Sequence, residues 1–156
     1  MLFRSSSVTE NRIRGFYKAM EKHDLPLPEG YVIPGRYDDF ESIRGSLLAV
    51  LDRPDRPTCI LLPDDASYFG ALDTLRGQGL RVPEDVSLAG YDGIRSVQAV
   101  RPRLTTVRQD CDAMGRQAAL RLIDHIDHPN NATNGSILIP TTLIEGESLA
   151  AAPKGL

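Results

Sequence analysis

The chain has 156 residues, of which 41% are hydrophobic and 25% charged, and this composition is typical of a globular domain with a real core. Its formal net charge of −3 and its scattered arginines argue against a nucleic-acid-binding surface. No apolar run approaches the roughly 18 residues of a membrane-spanning helix, and residues 1–4 are too short for a signal-peptide core, so we expect a cytoplasmic protein.

The first part of the chain alternates predicted strands and helices. Capping boxes open two helices, at Ser7 with Glu10 and at Asp38 with Glu41, and proline-rich connectors end them. The predicted elements of this part are a strand at 1–4, a helix from Ser7 that stops before residue 25, a strand at 31–33, a helix after Asp38 that ends at 54–57, and a strand at 58–62.

The second part continues the alternation. Asp64 or Asp65 is predicted to cap a helix that ends at Gly77 to Gly79. The later predicted elements are strands at 86–90 and 104–107, a helix from Asp110 to Ile126, and closing strands at 136–139 and 142–144. Strands and helices that alternate over short connections predict an α/β fold, a three-layer αβα sandwich with a mostly parallel sheet.

The cysteines and histidines do not form a recognisable metal motif. Cys59 and Cys111 lack CxxC spacing, so we interpret them as free, buried thiols. His125 and His128 have helical spacing but stand at a helix end beside Pro129, where two solvated histidines are expected. The sequence therefore predicts no metal, no cofactor and no catalytic residue.

Four side chains are predicted to meet at the carboxyl edge of the sheet, where α/β folds bind ligands. Asp92 and Asp64 follow strands, Tyr37 follows the strand at 31–33, and Arg12 lies early in the first helix. Carboxylates and a guanidinium suit vicinal hydroxyls, and an aromatic ring covers the apolar face of a sugar. These residue types therefore predict a small polyhydroxylated ligand. Each of three residues also has an alternative role that involves no ligand. Asp64 can be a helix N-cap, Arg12 a solvated charge on its helix, and Tyr37 a residue at the rim of the site.

Several runs of the sequence resemble the sensor domain of the LacI/GalR transcriptional repressors. They include RIRGF at 12–16, RVPEDVSLAGYD at 81–92 and PRLTTV at 102–107, and the likeness extends over nearly the whole chain. The resemblance implies a periplasmic binding protein-like type I lobe, and this chain corresponds to the carboxyl-terminal part of a two-lobe domain. Residues 1–102 and 136–148 correspond to the carboxyl-terminal lobe. The strand and helix of 103–135 belong to the first lobe in that family, so here they are expected to lack their partner sheet.

The resemblance also assigns roles to particular residues. Arg12 matches the ligand-gripping arginine, Asp92 the aspartate that accepts hydroxyl protons, and Tyr37 a stacking aromatic. Asp64 stands where Asn is more usual, and Gly146 where many relatives have Arg, so the ligand group at Asp64 and the packing at Gly146 differ from the family. The implied function is effector sensing by a repressor, with a sugar or nucleoside as effector. DNA would be bound only through an amino-terminal domain, and a membrane is not a partner.

The resembled family forms homodimers, and the resemblance places the interface on the helix after the third strand and on the irregular stretch before residue 104. Tyr68 and Val100 are predicted to lie off the buried side of their elements. The implied interface residues are Tyr68, Phe69, Leu72, Val97 and Val100.

Two other classes of function compete with the sensor. Asp64, Asp65 and Asp92 could form an acidic cluster in a metal-dependent hydrolase or a phosphotransfer enzyme. However, the sequence has no nucleophile elbow, no P-loop and no lysine between residues 23 and 153, so we expect no enzyme. A solute-binding protein is the other alternative.

Overall fold

A computed structural model describes residues 7–33, 39–129 and 135–152. The predicted strand at 1–4, the cap at Asp38 and the candidate ligand residue Tyr37 lie outside this part of the chain. The described elements are α1 (Ser7–Lys22), α2 (Phe40–Leu51), β1 (Cys59–Leu61), α3 (Ser67–Gly77), β2 (Ser87–Asp92), a 3-10 turn (Val97–Ala99), β3 (Thr105–Arg108), α4 (Cys111–Asp127) and β4 (Thr142–Ile144).

The described strands form one mixed sheet in the order β1-β2-β3-β4. β1 pairs with β2 and β2 with β3 in parallel, while β3 pairs with β4 in an antiparallel direction. The three parallel strands overlap the apolar runs of the sequence, and β2, the middle strand of the three, is buried or half-buried along its whole length. The predicted α/β class with a mostly parallel sheet is confirmed.

The core lies where α2 and α3 cover the sheet. Its central residues are nearly inaccessible to solvent because each helix turns one apolar stripe toward the strands. The buried cluster consists of Ile43, Leu47, Leu62, Tyr68, Ala71, Leu72, Leu75, Val86, Leu88, Val97 and Leu104. None of the described helices is long and apolar enough to cross a lipid bilayer.

Two predicted strands are not strands in the structure. Residues 31–33 are held to the end of α2 instead, because the Arg53 guanidinium lies 4.4 Å from the centre of the Tyr31 ring and the Tyr31 hydroxyl donates to the Asp55 carbonyl. Residues 136–139 are also outside the sheet, since β4 already pairs with the edge of β3. An apolar segment becomes a strand only where a neighbouring edge is free to pair with it.

The strand predicted to lack a partner sheet is fully paired. β3 lies between β2 and β4, with Ala89 opposite Thr105 on one side and Thr106 opposite Ile144 on the other. The expectation of an orphaned strand is therefore wrong, because β2 offers a free parallel edge within the same chain. The lobe boundaries themselves stay a prediction.

The helix that follows β3 behaves as the sequence predicts. α4 buries none of its residues, and its large apolar side chains remain between 45% and 68% exposed at Met114, Leu120, Leu122, Ile123 and Ile126. The cysteines differ from expectation. Cys59 and Cys111 are free but exposed, because β1 is an edge strand among the described residues and α4 is uncovered.

Candidate functional site

Strand β2 delivers a carboxylate to the edge of the sheet. The strand ends at Asp92, whose φ of 115° lies in a region that side chains rarely adopt, and Gly93 follows with a φ of 77°. Such backbone strain persists only where the surroundings hold it, and it concentrates at functional sites. The chain turns sharply here, so the Asp92 carboxylate stands just beyond the carboxyl ends of the parallel strands.

Arg12 of α1 converges on the same point. Its Nη2 lies 3.1 Å from Oδ1 of Asp92, and its Nη1 donates to the Pro63 carbonyl at 2.7 Å. The guanidinium carbon lies 3.9 Å from the centre of the Tyr91 ring, within the range of a cation–π contact. The structure therefore brings together Arg12 and Asp92, two of the residues that the sequence singled out, although they are 80 positions apart.

Gln109 completes this cluster from β3. Its side-chain amide donates to Oδ1 of Asp92 at 2.7 Å, and its backbone amide donates to the Asp92 carbonyl at 3.3 Å. The sequence reading missed Gln109 and Tyr91. The same strand-end rule that selected Asp92 would have selected Gln109, which directly follows β3. Tyr91 is one residue before the end of β2 and carried no separate signal.

Asp64 is engaged at the start of α3. Its Oδ1 accepts the Ser67 backbone amide at 2.7 Å and the Ser67 hydroxyl at 3.0 Å, and the residue is only 6% exposed. A carboxylate that accepts the amide three residues on acts as a helix cap does, although Ala66 is the residue that directly precedes α3. Asp64 nevertheless adjoins Pro63, whose carbonyl binds Arg12, so it stands beside the cluster. Its role toward a ligand stays a prediction.

Asp65 has a structural position. The residue is fully buried, and its two carboxylate oxygens accept the Thr106 hydroxyl at 2.6 Å and the Ile94 amide at 2.8 Å. Burial raises the pKa of the Asp65 carboxyl, because the ionised form loses its hydration. Through these hydrogen bonds Asp65 links the start of α3 to β3 and to the turn after Asp92, and so helps to hold Asp92 in position.

Among the described residues, no group of three His, Cys, Asp or Glu side chains is placed to hold a metal ion. Each member of the candidate acidic cluster has a different protein partner: Asp64 binds Ser67, Asp65 binds Thr106, and Asp92 binds Arg12. This arrangement does not favour a metal-dependent enzyme. The exposed ring of His128 contacts Asp124 at 3.2 Å on the last turn of α4.

The candidate dimer residues divide into two groups. Tyr68 and Val97 are 0% exposed and Leu72 is 4% exposed, so these side chains offer no surface to a second chain. The Tyr68 hydroxyl donates to the Pro102 carbonyl at 2.5 Å, and burial raises the pKa of Tyr68 to about 12. The prediction that Tyr68 lies off the buried side of α3 is wrong, because residues 100–103 fold over it. Phe69 is 40% exposed and Val100 is half-buried, so these two remain available.

A groove of about 430 Å³ lies beyond Tyr91 and Gln109. One wall is the near side of α4, with Met114 and Ala118, and the other is the segment 137–139. Arg121 crosses the end of the groove, where its guanidinium donates to the Gly135 carbonyl. Because Tyr91 and Gln109 line the groove as well, it opens directly beside the Asp92 cluster.

Comparison with known proteins identifies clear relatives. Residues 1–149 match the family model of the periplasmic binding protein-like domain. The chain is 37% identical over 142 residues to the HTH-type transcriptional repressor PurR of Escherichia coli, a match that covers 91% of this chain and 41% of the relative. The chain therefore spans less than half the length of this repressor.

Solved structures give the same picture. A putative transcriptional regulator LacI from Bacillus cereus subsp. cytotoxis superposes with a TM-score of 0.84 at 26% identity, over 93% of this chain and 51% of that one. A LacI family transcriptional regulator from Enterococcus faecium with bound ribose superposes with a TM-score of 0.80 at 26% identity, over 90% of this chain and 51% of the other. In both cases the chain spans about half of the solved structure.

Proposed function

The chain belongs to the periplasmic binding protein-like domain family, and we propose that it contributes half of an effector site in a bacterial transcriptional repressor. The predicted likeness to LacI/GalR sensor domains, on which this proposal builds, is confirmed. The effector is a small polyhydroxylated molecule, a sugar or a nucleoside, held in a cleft between two lobes. Its binding controls operator affinity through a DNA-binding segment outside this chain. The site performs recognition rather than catalysis and needs no cofactor.

The contact of Arg12 with Asp92 over the Tyr91 ring carries this proposal. A sugar hydroxyl can donate to a carboxylate and accept from a guanidinium at once, and both groups here stand within 3.1 Å of each other. The Tyr91 ring supplies a flat apolar wall beside them. The bound ribose in the structure of the Enterococcus faecium relative supports a ligand of this class.

The site is also accessible enough to exchange partners. The side chains of Arg12 and Asp92 are 23% and 28% exposed, so their ion pair is not sealed in the core. The Nε atom of Arg12 has no hydrogen-bond partner among the described residues, although solvent does not reach it. A buried donor without a partner is costly, and a ligand oxygen that reached it would remove that cost.

Tyr37 and Asp64 are proposed as additional ligand contacts on the grounds of the resemblance. Tyr37 lies outside the described residues, and Asp64 uses one oxygen to cap α3, which leaves its other oxygen for a ligand donor. We further propose that the protein acts as a homodimer, with Phe69 and Val100 as the interface residues that the described surface still offers.

Nuclear magnetic resonance of the whole chain tests the site with D-ribose as the probe, up to about 100 mM. We expect saturable shifts of the Arg12 side-chain NH and of the Gln109 side-chain amide. Arg12→Ala should abolish these shifts, since it removes the charge-assisted donor. Arg14→Ala should leave them intact, because Arg14 is exposed on α1 and its guanidinium donates to Asn11 of the same helix.

The alternatives predict other outcomes. A wild-type chain that shows no shifts with pentoses, hexoses or nucleosides, or an Arg12→Ala chain that responds as the wild type does, would contradict the proposed site. A magnesium titration provides the test for an enzyme. Saturable shifts confined to Asp64, Asp65 and Asp92 would favour the acidic-cluster hydrolase over the sensor.

A further inference from the structure

Asp64 has one carboxylate oxygen that the described chain does not use. Its Oδ1 accepts both the backbone amide and the hydroxyl of Ser67, at 2.7 and 3.0 Å, whereas its Oδ2 has no hydrogen-bond partner among the described residues. The residue is only 6% exposed, so little water reaches this charge. A nearly buried, ionised oxygen is costly to leave unpaired, and a ligand donor that met it would remove that cost.

The backbone around Asp64 places it beside the Arg12–Asp92 pair. Past the end of β1, amides of residues 62–65 still donate to carbonyls of β2 at 2.8 Å, from Leu62 to Ala89 and from Asp65 to Tyr91. The stretch 62–65 therefore runs alongside β2 to its carboxyl end. Pro63 lies within it, and its carbonyl accepts Arg12 Nη1 at 2.7 Å. Asp64 thus directly follows a residue that Arg12 binds.

The bonds to Ser67 also fix the polarity of the position that Asp64 offers to a ligand. The Ser67 amide can donate only to an oxygen, so the other branch of the Asp64 side chain is the one left for a ligand. In Asp that branch is a second, charged acceptor, whereas the isosteric Asn would place an NH2 donor there. The ligand group that meets Asp64 must therefore donate, and a carboxylate or a phosphate is disfavoured.

The charges of the neighbouring side chains favour a cationic group at this position. Arg12 is paired with Asp92 at 3.1 Å, and Asp64 has no ion pair with any cation among the described residues. Two carboxylates thus stand against one guanidinium. Arg95 in the turn after β2 and Arg108 opposite Asp92 on β3 are exposed, so water and salt screen their charges.

From these contacts we infer that the effector is a cationic polyhydroxylated molecule, an amino sugar, whose ammonium group faces Asp64. An ammonium group has donors and no acceptor, which matches a charged oxygen that can only accept. A hydrogen bond with ionised partners is roughly twice as strong as one between neutral groups, so the ammonium group is preferred to a hydroxyl. This ligand class rests on the proposed effector site, which it narrows.

Three sugars that share one ring and differ in charge provide the test: D-glucosamine, D-glucose and D-glucuronate. Nuclear magnetic resonance titrations of the whole chain, followed at the Gln109 side-chain amide, give a Kd for each sugar at an ionic strength held constant with sodium chloride. We expect D-glucosamine to bind the wild type about tenfold more tightly than D-glucose, and D-glucuronate about tenfold more weakly. This order tests the role of Asp64 without any substitution.

Asp64→Asn separates the charge from the structure. The variant keeps an oxygen for the Ser67 amide, and protection of that amide from hydrogen exchange shows that the local fold is intact. The roughly tenfold preference for D-glucosamine over D-glucose should disappear, and D-glucuronate should bind about tenfold more tightly than it does to the wild type. Asp73→Asn is the matched control. Asp73 is exposed on α3, so removal of the same charge there should leave all three affinities unchanged.

Failure of this ligand class is distinguishable from failure of the effector site. Equal affinity of the wild type for D-glucosamine and D-glucose, or a preference that survives in Asp64→Asn, overturns the inferred ligand class. Tighter binding of D-glucuronate also overturns it, and would show that Arg95 and Arg108 set the ligand charge. A response to D-ribose without any to D-glucosamine contradicts the amino sugar but leaves the site in place. No response to any of these sugars would contradict the site itself, and the amino sugar with it.

Discussion

Neighbouring carboxylates at the sheet edge have different tasks because their surroundings differ. Asp92 is partly exposed and forms an ion pair with Arg12, so it can exchange that partner for a ligand hydroxyl. Asp65 is fully buried beside it and accepts hydrogen bonds from Thr106 and Ile94. The first side chain is suited to recognition, and the second fixes the strand ends that position it.

Asp65→Asn should change how stability depends on pH. The folded-state pKa of Asp65 is raised above its ordinary value, so the proton binds more tightly in the folded chain than in the unfolded one. The resulting stabilisation is complete below about pH 4 and is lost as pH rises through the folded pKa. The wild type should therefore lose stability relative to Asp65→Asn over this window, as measured by urea unfolding.

Asp85 provides a control of opposite sign. Its carboxylate accepts the Arg81 amide at 2.8 Å and binds the Arg81 guanidinium, which lowers the pKa of Asp85 to about 2. Its contribution is present above the unfolded pKa and is lost as pH falls toward 2, so Asp85→Asn should differ from the wild type least in strong acid. A pH-independent difference for Asp65→Asn would contradict the assigned role of burial.

At the level of elements, the segment after β4 closes the sheet through side chains. Gly146 donates its amide to the Thr105 hydroxyl at 2.9 Å. Ser148 is fully buried, accepts the Thr105 amide at 2.9 Å and donates to the Leu88 carbonyl at 2.6 Å. The segment thus links β2 and β3 from one end, and Gly146 permits the close approach on which these bonds depend.

Gly146→Ala should destabilise the chain by about 2 to 3 kcal/mol, because the added methyl would press on the Arg103 carbonyl oxygen and lie 2.5 Å from the Leu104 carbonyl carbon. Backbone atoms cannot move aside as a flexible side chain does. Gly45→Ala is the control, since Gly45 is exposed within α2 and has open space, so alanine should stabilise by about 0.5 to 1 kcal/mol. Equal effects in urea unfolding would refute this packing.

The close packing also accounts for one departure from the resembled family. The resemblance leads us to expect Arg at the position of Gly146, but a side chain on this backbone path would meet the backbone of residues 103–104. The local path of this chain is therefore adapted to glycine.

At the level of the whole molecule, the chain spans about half of the solved regulators it resembles, and the ligand contacts proposed for it lie at one edge of its sheet. Binding proteins of this shape bury most of a small ligand between two lobes. The side chains of the Arg12–Asp92 pair are both partly exposed, as expected if this cluster forms one wall of the proposed cleft.

The isolated chain should accordingly bind pentoses, hexoses and nucleosides no more tightly than about 1 mM, or about −4 kcal/mol. Isothermal titration calorimetry is the measurement, and a sucrose titration at equal osmolality controls for nonspecific heats. Micromolar affinity for any of these ligands would mean that one lobe is sufficient for tight binding, and this would contradict the proposal that the chain forms only half of the effector site.

The positions of most helices and strands in this protein could be predicted from its sequence. Apolar residues at helical spacing predicted α1 to α4, because a helix on a core buries one apolar stripe. Continuous apolar runs predicted β1 to β3, because such runs are typical of strands inside a parallel sheet. The strand-end rule also selected Arg12 and Asp92, which the structure places in contact, since strand direction alone decides which edge their elements share.

The tertiary structure decided what depends on neighbours distant in the chain. It paired β3 with β2, covered Tyr68 with residues 100–103, left Cys59 on an edge strand and brought Gln109 and Tyr91 to Asp92. It also kept residues 31–33 and 136–139 out of the sheet. Periodicity reports how much of a segment is buried, but the pairing of an edge or the covering of a helix depends on which surface another part of the chain occupies.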